Sequence, residues 1–185
     1  VVSRGIAPKY ADDGPSVVLN QKCIRDRRVS FGPSRRQQRP IPEAKRARHG
    51  DVFINSTGVG TLGRVAMYRG QQADVTVDSH VTIARPAREV LNPWYGFTLV
   101  SKQADFERLG TGSTGQTELS RGDIGATVLV TPSDGVLDAF ASAAETPACI
   151  TDVAAAVPAP SSCSLVRAAV DALCSEEKSA VIRSA

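Results

Sequence analysis

Asp51-Val52-Phe53-Ile54-Asn55-Ser56-Thr57-Gly58-Val59-Gly60-Thr61-Leu62-Gly63-Arg64-Val65-Ala66-Met67-Tyr68 is the stretch on which the fold turns. Its first five residues have the β-branched and aromatic content of a strand. Gly58 to Gly63 then spell G-x-G-x-x-G, and Asp78 lies twenty residues after Gly58, as in a dinucleotide-binding turn. Such a turn works only where a helix opens at the last glycine, because the helix N-terminus carries the pyrophosphate. Here the next residues are Arg64 to Tyr68, five β-friendly residues followed by a turn at Arg69-Gly70. The stretch reads as strand, glycine-rich hairpin loop and return strand, and a nucleotide-cofactor enzyme stands only as an alternative.

Working outward, Ser16–Asn20 and Lys22–Ile24 read as strands flanking a turn, with further strands at 75–77 and 80–84. Gly32-Pro33 and Pro40-Ile41-Pro42 exclude a long helix between them, leaving room for one helical turn over 43–48. Residues 93–109 form a helical patch anchored by Trp94, Phe97, Leu99, Val100, Phe106 and Leu109. A strand is expected at Ala126–Val130, stopped by Pro132. Composition then shifts to alanine. One helix is expected over 133–145, with Val136, Leu137, Phe140 and Ala144 on one face, and a second from the N-cap Ser162 to Ile182. Pro147, Pro158 and Pro160 separate the two. Their apolar faces are expected to pack on a partner or on the parent domain, with the partner favoured. The domains are therefore 1–132 and a helical tail over 133–185, serving as spacer, dimerisation or subunit-docking segment.

The 185 residues suit one domain with an appendage, and 42% hydrophobic and 22% charged residues are the proportions of a soluble globular chain. No apolar run approaches the roughly 18 residues of a membrane span, and no signal peptide opens the chain, so the expected location is the cytoplasm with no membrane partner. A first residue Val1 rather than Met suggests a processed or excised segment. Cys23, Cys149, Cys163 and Cys174 form no C-x-x-C pair and lie far from His49 and His80, so no metal is expected and a reducing compartment fits.

The net charge of +3 conceals a block. Residues 1–50 hold twelve Lys/Arg against four Asp/Glu, a balance of +8, and the other 135 residues hold ten against fifteen, a balance of −5. A block of this kind attracts polyanions. Catalytic motifs are absent by contrast. Asn92-Pro93-Trp94-Tyr95 is similar to the Asn-Pro-Pro-Tyr of DNA adenine methyltransferases but lacks the second proline and the methyl-donor loop. Ser56 and Ser113 sit in glycine-rich loops without G-x-S-x-G, and no G-K-[ST] occurs. Residues 106–132 hold a loop of hydroxyls, glycines and one Gln with no acid–base pair: equipment for contact, not for conversion.

Four segments in order carry a family likeness. Gly5-Ile6-Ala7-Pro8-Lys9-Tyr10 looks like a Gly-Thr-Thr-Pro-type opening with two central substitutions. Gly50–Ala66 looks like a Gly-Asp-Val-Leu strand, glycine loop and return strand. Tyr95–Ser101 looks like an aromatic helix ending in Leu-x-Ser, and Gly112–Ser120 matches a Gly-Ser-Thr-Gly-Gln block. Over about residues 4–140 the chain resembles a target recognition domain from the specificity subunit of a type I restriction–modification enzyme.

The resemblance implies an α+β domain with a twisted, mostly antiparallel sheet and few helices, followed by a C-terminal helical segment. It implies a non-catalytic reader of double-stranded DNA that serves methyltransferase subunits and an endonuclease/translocase subunit. No cofactor belongs to the chain itself; S-adenosylmethionine, ATP and Mg would sit on those partners. Lys9, Tyr10, Arg25, Arg27, Arg28, Arg35, Arg36, Arg39, Arg64 and His80 are the candidate phosphate or base contacts. Ser56, Thr57, Thr61, Ser113, Thr114 and Gln116 join them from the two glycine loops. Whole specificity subunits carry two recognition domains and two long helices. This chain has one domain and a proline-interrupted tail, so a half-subunit that dimerises and a fragment with a second recognition domain are both open. The rival classes are an adenine methyltransferase fragment and a protein-interaction module.

Overall fold

The computed structural model describes residues 1–88, 92–110 and 118–144. Among them, strands β1 (Val2–Arg4), β9 (Val81–Ala84), β6 (Val52–Asn55) and β7 (Val65–Met67) lie side by side in that order, each antiparallel to its neighbour. A second sheet runs β5 (Arg35–Gln37), β2 (Ser16–Leu19), β8 (Val75–Val77), with β2 antiparallel to β5 and parallel to β8. β3 (Ile24–Arg25) and β4 (Arg28–Val29) close a small hairpin. Helices α1 (Asn92–Ser101), α2 (Gln103–Leu109), α3 (Arg121–Gly125) and α4 (Asp134–Ala144) follow. The α+β architecture with mostly antiparallel pairing is the one expected from the sequence.

Residues of β6 alternate between two cores, as the two-residue period of a strand requires. Phe53 faces Leu19, Val75 and Val77 of the second sheet, together with Tyr68 and Ile83. Val52 and Ile54 face Leu99, Val100, Phe106 and Leu119, on or beside the helices. The four-stranded sheet is thus covered on both faces, which is why every residue of β6 and β9 is buried, Asn55 and Thr82 included.

At one end of this sheet, Arg85 grips Asp51. Arg85 Nε and Nη2 donate to the two carboxylate oxygens at 2.6 and 2.7 Å, and Nη2 also donates to the Arg46 carbonyl. Asp51 is 1% exposed and the Arg85 side chain 17%. A buried fork of this kind holds its charge only while both partners remain. The pair joins the end of β9 to the start of β6, and Arg85 and Val1 exchange two backbone hydrogen bonds that lock β1 alongside.

The glycines at two motif positions are structural. Gly5 lets the chain pass between the sheets: a Cβ there would stand 2.2 Å from the carbonyl oxygens of Val77 and Asp78. Gly63 has φ +81°, and a Cβ would stand 2.5 Å from the Glu107 backbone nitrogen, so loop 58–63 packs directly on α2. The strand return at β7 removes the helix that a dinucleotide turn needs.

Several local expectations are corrected. Asn20 caps a 3-10 turn over Gln21–Cys23, because its side chain accepts from the Lys22 N–H; the strand begins only at Ile24. The helical patch over 93–109 breaks at Lys102 into α1 and α2. Ala126–Val130 is not a strand. Ser120 accepts from the Asp123 N–H and starts α3 instead, and the chain beyond runs along the surface with Val128 and Val130 more than half exposed. The apolar face of α4 packs within the domain rather than being left for a partner: Phe140 meets Trp94 and Phe97 of α1 edge-on, at 5.2 and 5.4 Å. The second expected helix, 162–182, lies outside the described residues.

Replacing Asp51 by Asn leaves the Arg85 guanidinium without its counterion. Urea unfolding should show a loss of roughly 3–5 kcal/mol; a loss under about 1 kcal/mol would refute the role given to this pair.

Candidate nucleic-acid interface

Twelve cations in residues 1–50 sort into two sets. Arg4, Arg25, Arg46 and Arg48 have carboxylate partners: Glu118, Asp26, Asp74 with Glu43, and Glu43. Lys9, Lys22, Arg27, Arg28, Arg35, Arg36, Arg39 and Lys45 have none among the described residues. Lys45 donates to the Arg4 carbonyl instead. The unneutralised charge therefore concentrates on the β3–β4 hairpin and the edge strand β5.

On β5, alternation turns Arg35 and Arg36 to opposite sides. Arg35 stacks over the Tyr10 ring, 3.8 Å from its centroid, and Arg36 donates through Nε to the Gly14 carbonyl. Gln37 between them and Arg39 is fully buried, and its amide bonds the Arg39 backbone at both ends. Lys9 runs alongside, its carbonyl accepting from the Gln38 N–H. Lys9, Tyr10, Arg35, Arg36 and Arg39 are thereby brought together on one sheet edge. Burial, with Asp78 adding to it, pushes the Tyr10 hydroxyl above its ordinary value, so this ring stays neutral beneath the guanidinium.

The glycine loop makes a second corner. Thr57 follows β6; its hydroxyl accepts from Gln21 Nε2 at 2.6 Å and lies 2.8 Å from His80 Nδ1. The direction of the Thr57–His80 bond follows the imidazole tautomer. His80 is exposed, so its ring is available for contact at the surface. Thr61 donates to the Thr57 carbonyl and Arg64 to the Gly60 carbonyl, so both serve partly to shape the loop. Ser56 is corrected: it is fully buried, with its hydroxyl engaged by Ile54 and Thr82, and presents nothing to a ligand.

The two glycine-rich segments meet at this corner. Thr57 and Glu118 form a β-bridge, Leu119 N–H donates to the Ser56 carbonyl, and a Cβ on Gly110 would press on Leu62. Ser113, Thr114 and Gln116 fall between those anchors and lie outside the described residues.

Sequence reasoning missed Gln21 and Arg69. Gln21 sits in a 3-10 turn with no motif, yet its amide ties the base of the hairpin to Thr57. Arg69 follows β7 and, with Arg27 and Arg28, rims a recess of about 240 Å³ floored by Phe31, Tyr68 and Phe97. No spacing rule relates residue 69 to residues 27 and 28; only the packing of β4 beside β7 does.

No protein-family model matches the sequence, and no curated protein matches it. Solved structures do. One, described by complex assembly and conformational transition of the type I restriction–modification system, superposes over 94% of this chain with a TM-score of 0.54 at 15% identity. The chain therefore shares its fold with part of a type I restriction–modification system structure. A crystal structure of the type I S subunit from M. genitalium also matches, over 67% of the chain with a TM-score of 0.46 at 12% identity. The chain spans 39% and 29% of the lengths of these two proteins. Within this fold, the glycine loop, the Gly-Asp turn and the Gly5 segment all carry structural duties.

Thr57→Val removes the hydroxyl that joins Gln21 to His80. Denaturant titration should show a loss of about 1–2 kcal/mol, one or two net hydrogen bonds; an unchanged midpoint would mean that the corner is not held through this side chain.

Proposed function

We propose that this chain is a non-catalytic, sequence-specific reader of duplex DNA, acting as a specificity subunit, half-subunit or recognition module of a type I restriction–modification complex. The reading rests on one observation above others. The cations that lack carboxylate partners gather on two exposed elements of a recognition-domain fold, one of them stacked on an aromatic ring. Lys9, Arg35 and Arg39 neutralise phosphates and set register, while hydroxyl and imidazole groups at the Thr57–His80 corner face base edges or backbone. Methylation and cleavage belong to partner methyltransferase and translocase subunits, which this chain directs to the target. S-adenosylmethionine, ATP and Mg act there, and the complex works in the cytoplasm.

Binding to a mixed-sequence duplex, followed by fluorescence anisotropy, tests this. With about six phosphate contacts, affinity should fall by about a thousandfold between 50 and 200 mM salt. Arg35→Ala with Arg39→Ala should flatten the log–log slope by about two. Salt-insensitive or absent duplex binding would overturn the reading, and so would a micromolar site for S-adenosylmethionine or NAD on the isolated chain.

A further inference from the structure

The β3–β4 hairpin carries two local costs that folding does not call for. Its turn residues Asp26 and Arg27 both have positive φ, 51° and 60°, in the place where Asn-Gly is the relaxed choice. Its closing pair sets Arg25 directly opposite Arg28, and like charges across a strand pair repel. The relief on offer is poor: among the described residues the one carboxylate paired with either arginine, Asp26, stands 3.7 Å from Arg25 with both side chains more than 70% exposed.

The hairpin is nevertheless firmly mounted. Its inward pair, Ile24 and Val29, packs into the main core, with Ile24 fully buried. Ser30 N–H donates to the Cys23 carbonyl at its base, and Gln21 ties that base to Thr57. Alternation then turns the next pair, Arg25 and Arg28, to the outer face, where both are exposed. Directly opposite residues carry their Cβ atoms roughly 5 Å apart. Two arginines are so set opposite each other on a two-stranded ribbon anchored at its base, an element of the width that the DNA major groove admits.

We infer that the β3–β4 hairpin is the base-reading element of this domain, entering the major groove with Arg25 and Arg28 each forked onto the O6 and N7 acceptors of a guanine. This rests on the duplex-reading function proposed above and assigns base contact to two of the basic residues, leaving phosphate contact to the β5 edge. A guanine edge relieves the Arg25–Arg28 repulsion by giving each fork its own pair of acceptors.

Selection from a randomised duplex library, with the full chain as bait, tests the assignment. Arg25→Lys and Arg28→Lys keep both charges but lose the fork. Wild-type protein should select a site with guanine at one or two positions, favoured about 5- to 150-fold each. The Lys variants should bind mixed duplex within about threefold of wild type with an unchanged salt slope, while losing that preference alone. Retention of the same preference by both variants would overturn the inference while leaving the duplex reader intact; absence of wild-type duplex binding would overturn both. Arg28→Thr gives an independent check, because removing the repulsion should leave the thermal midpoint unchanged or higher. A lower midpoint would make the pair structural and sink the inference.

Discussion

The ion pair between Asp51 and Arg85 is the constraint on which the rest of this structure depends. It sits where β9 ends and β6 begins, and it closes a circuit that includes Arg46, Arg48 and, through Arg85, the first residue of the chain. A carboxylate placed so deep must be matched by a cation, and the fork of Arg85 matches both oxygens at once. The Gly-Asp turn of the sequence motif is therefore a structural rivet. Gly50, at φ +87°, gives the backbone the bend that brings Asp51 into reach.

From that rivet the functional geometry follows along the strands. Asp51 stands just before β6 and Thr57 just after it, so fixing the start of the strand also fixes the corner where the glycine loop, His80 and Glu118 assemble. Gln21 carries the same constraint onward to the hairpin, since Asn55 Nδ2 donates to its carbonyl and its own amide donates to Thr57. Most of the buried polar groups on the way are matched, although among the described residues Asn55 Oδ1 is buried without a hydrogen-bond partner. The outcome is a frame whose unmatched positive charge is concentrated on and beside two outward elements, an arrangement suited to a polyanion.

Legibility in the sequence tracked how local the deciding physics was. β2, β6, β7, β8 and β9 were readable because β-branched runs bounded by glycine, Asn and Asp turns declare themselves within a few residues. The rejection of a dinucleotide turn was readable for the same reason, as Arg64–Tyr68 is strand-like on its face. Ala126–Val130 failed because its β-branched content needed a neighbouring strand, and the cap supplied by Ser120 to Asp123 favoured a short helix first. Ser56 failed because a hydroxyl beside a glycine loop looks accessible until Thr82 is seen against it. The hairpin over 24–29 was obscure for an opposite reason: its turn residues, Asp26 and Arg27, are not those the turn type prefers. The family likeness reached the fold, while the sorting of cations into paired and unpaired required contacts such as Arg46–Asp74 that span many residues.

The most direct test of the central claim is a methylation map. This chain would be co-expressed with the methyltransferase subunit of the same locus, and modified adenines located across a host genome by single-molecule sequencing. The account predicts methylation confined to one defined sequence and wholly dependent on this chain. Methylation that is unchanged when the chain is omitted, or none at all from a soluble, assembled complex, would contradict it.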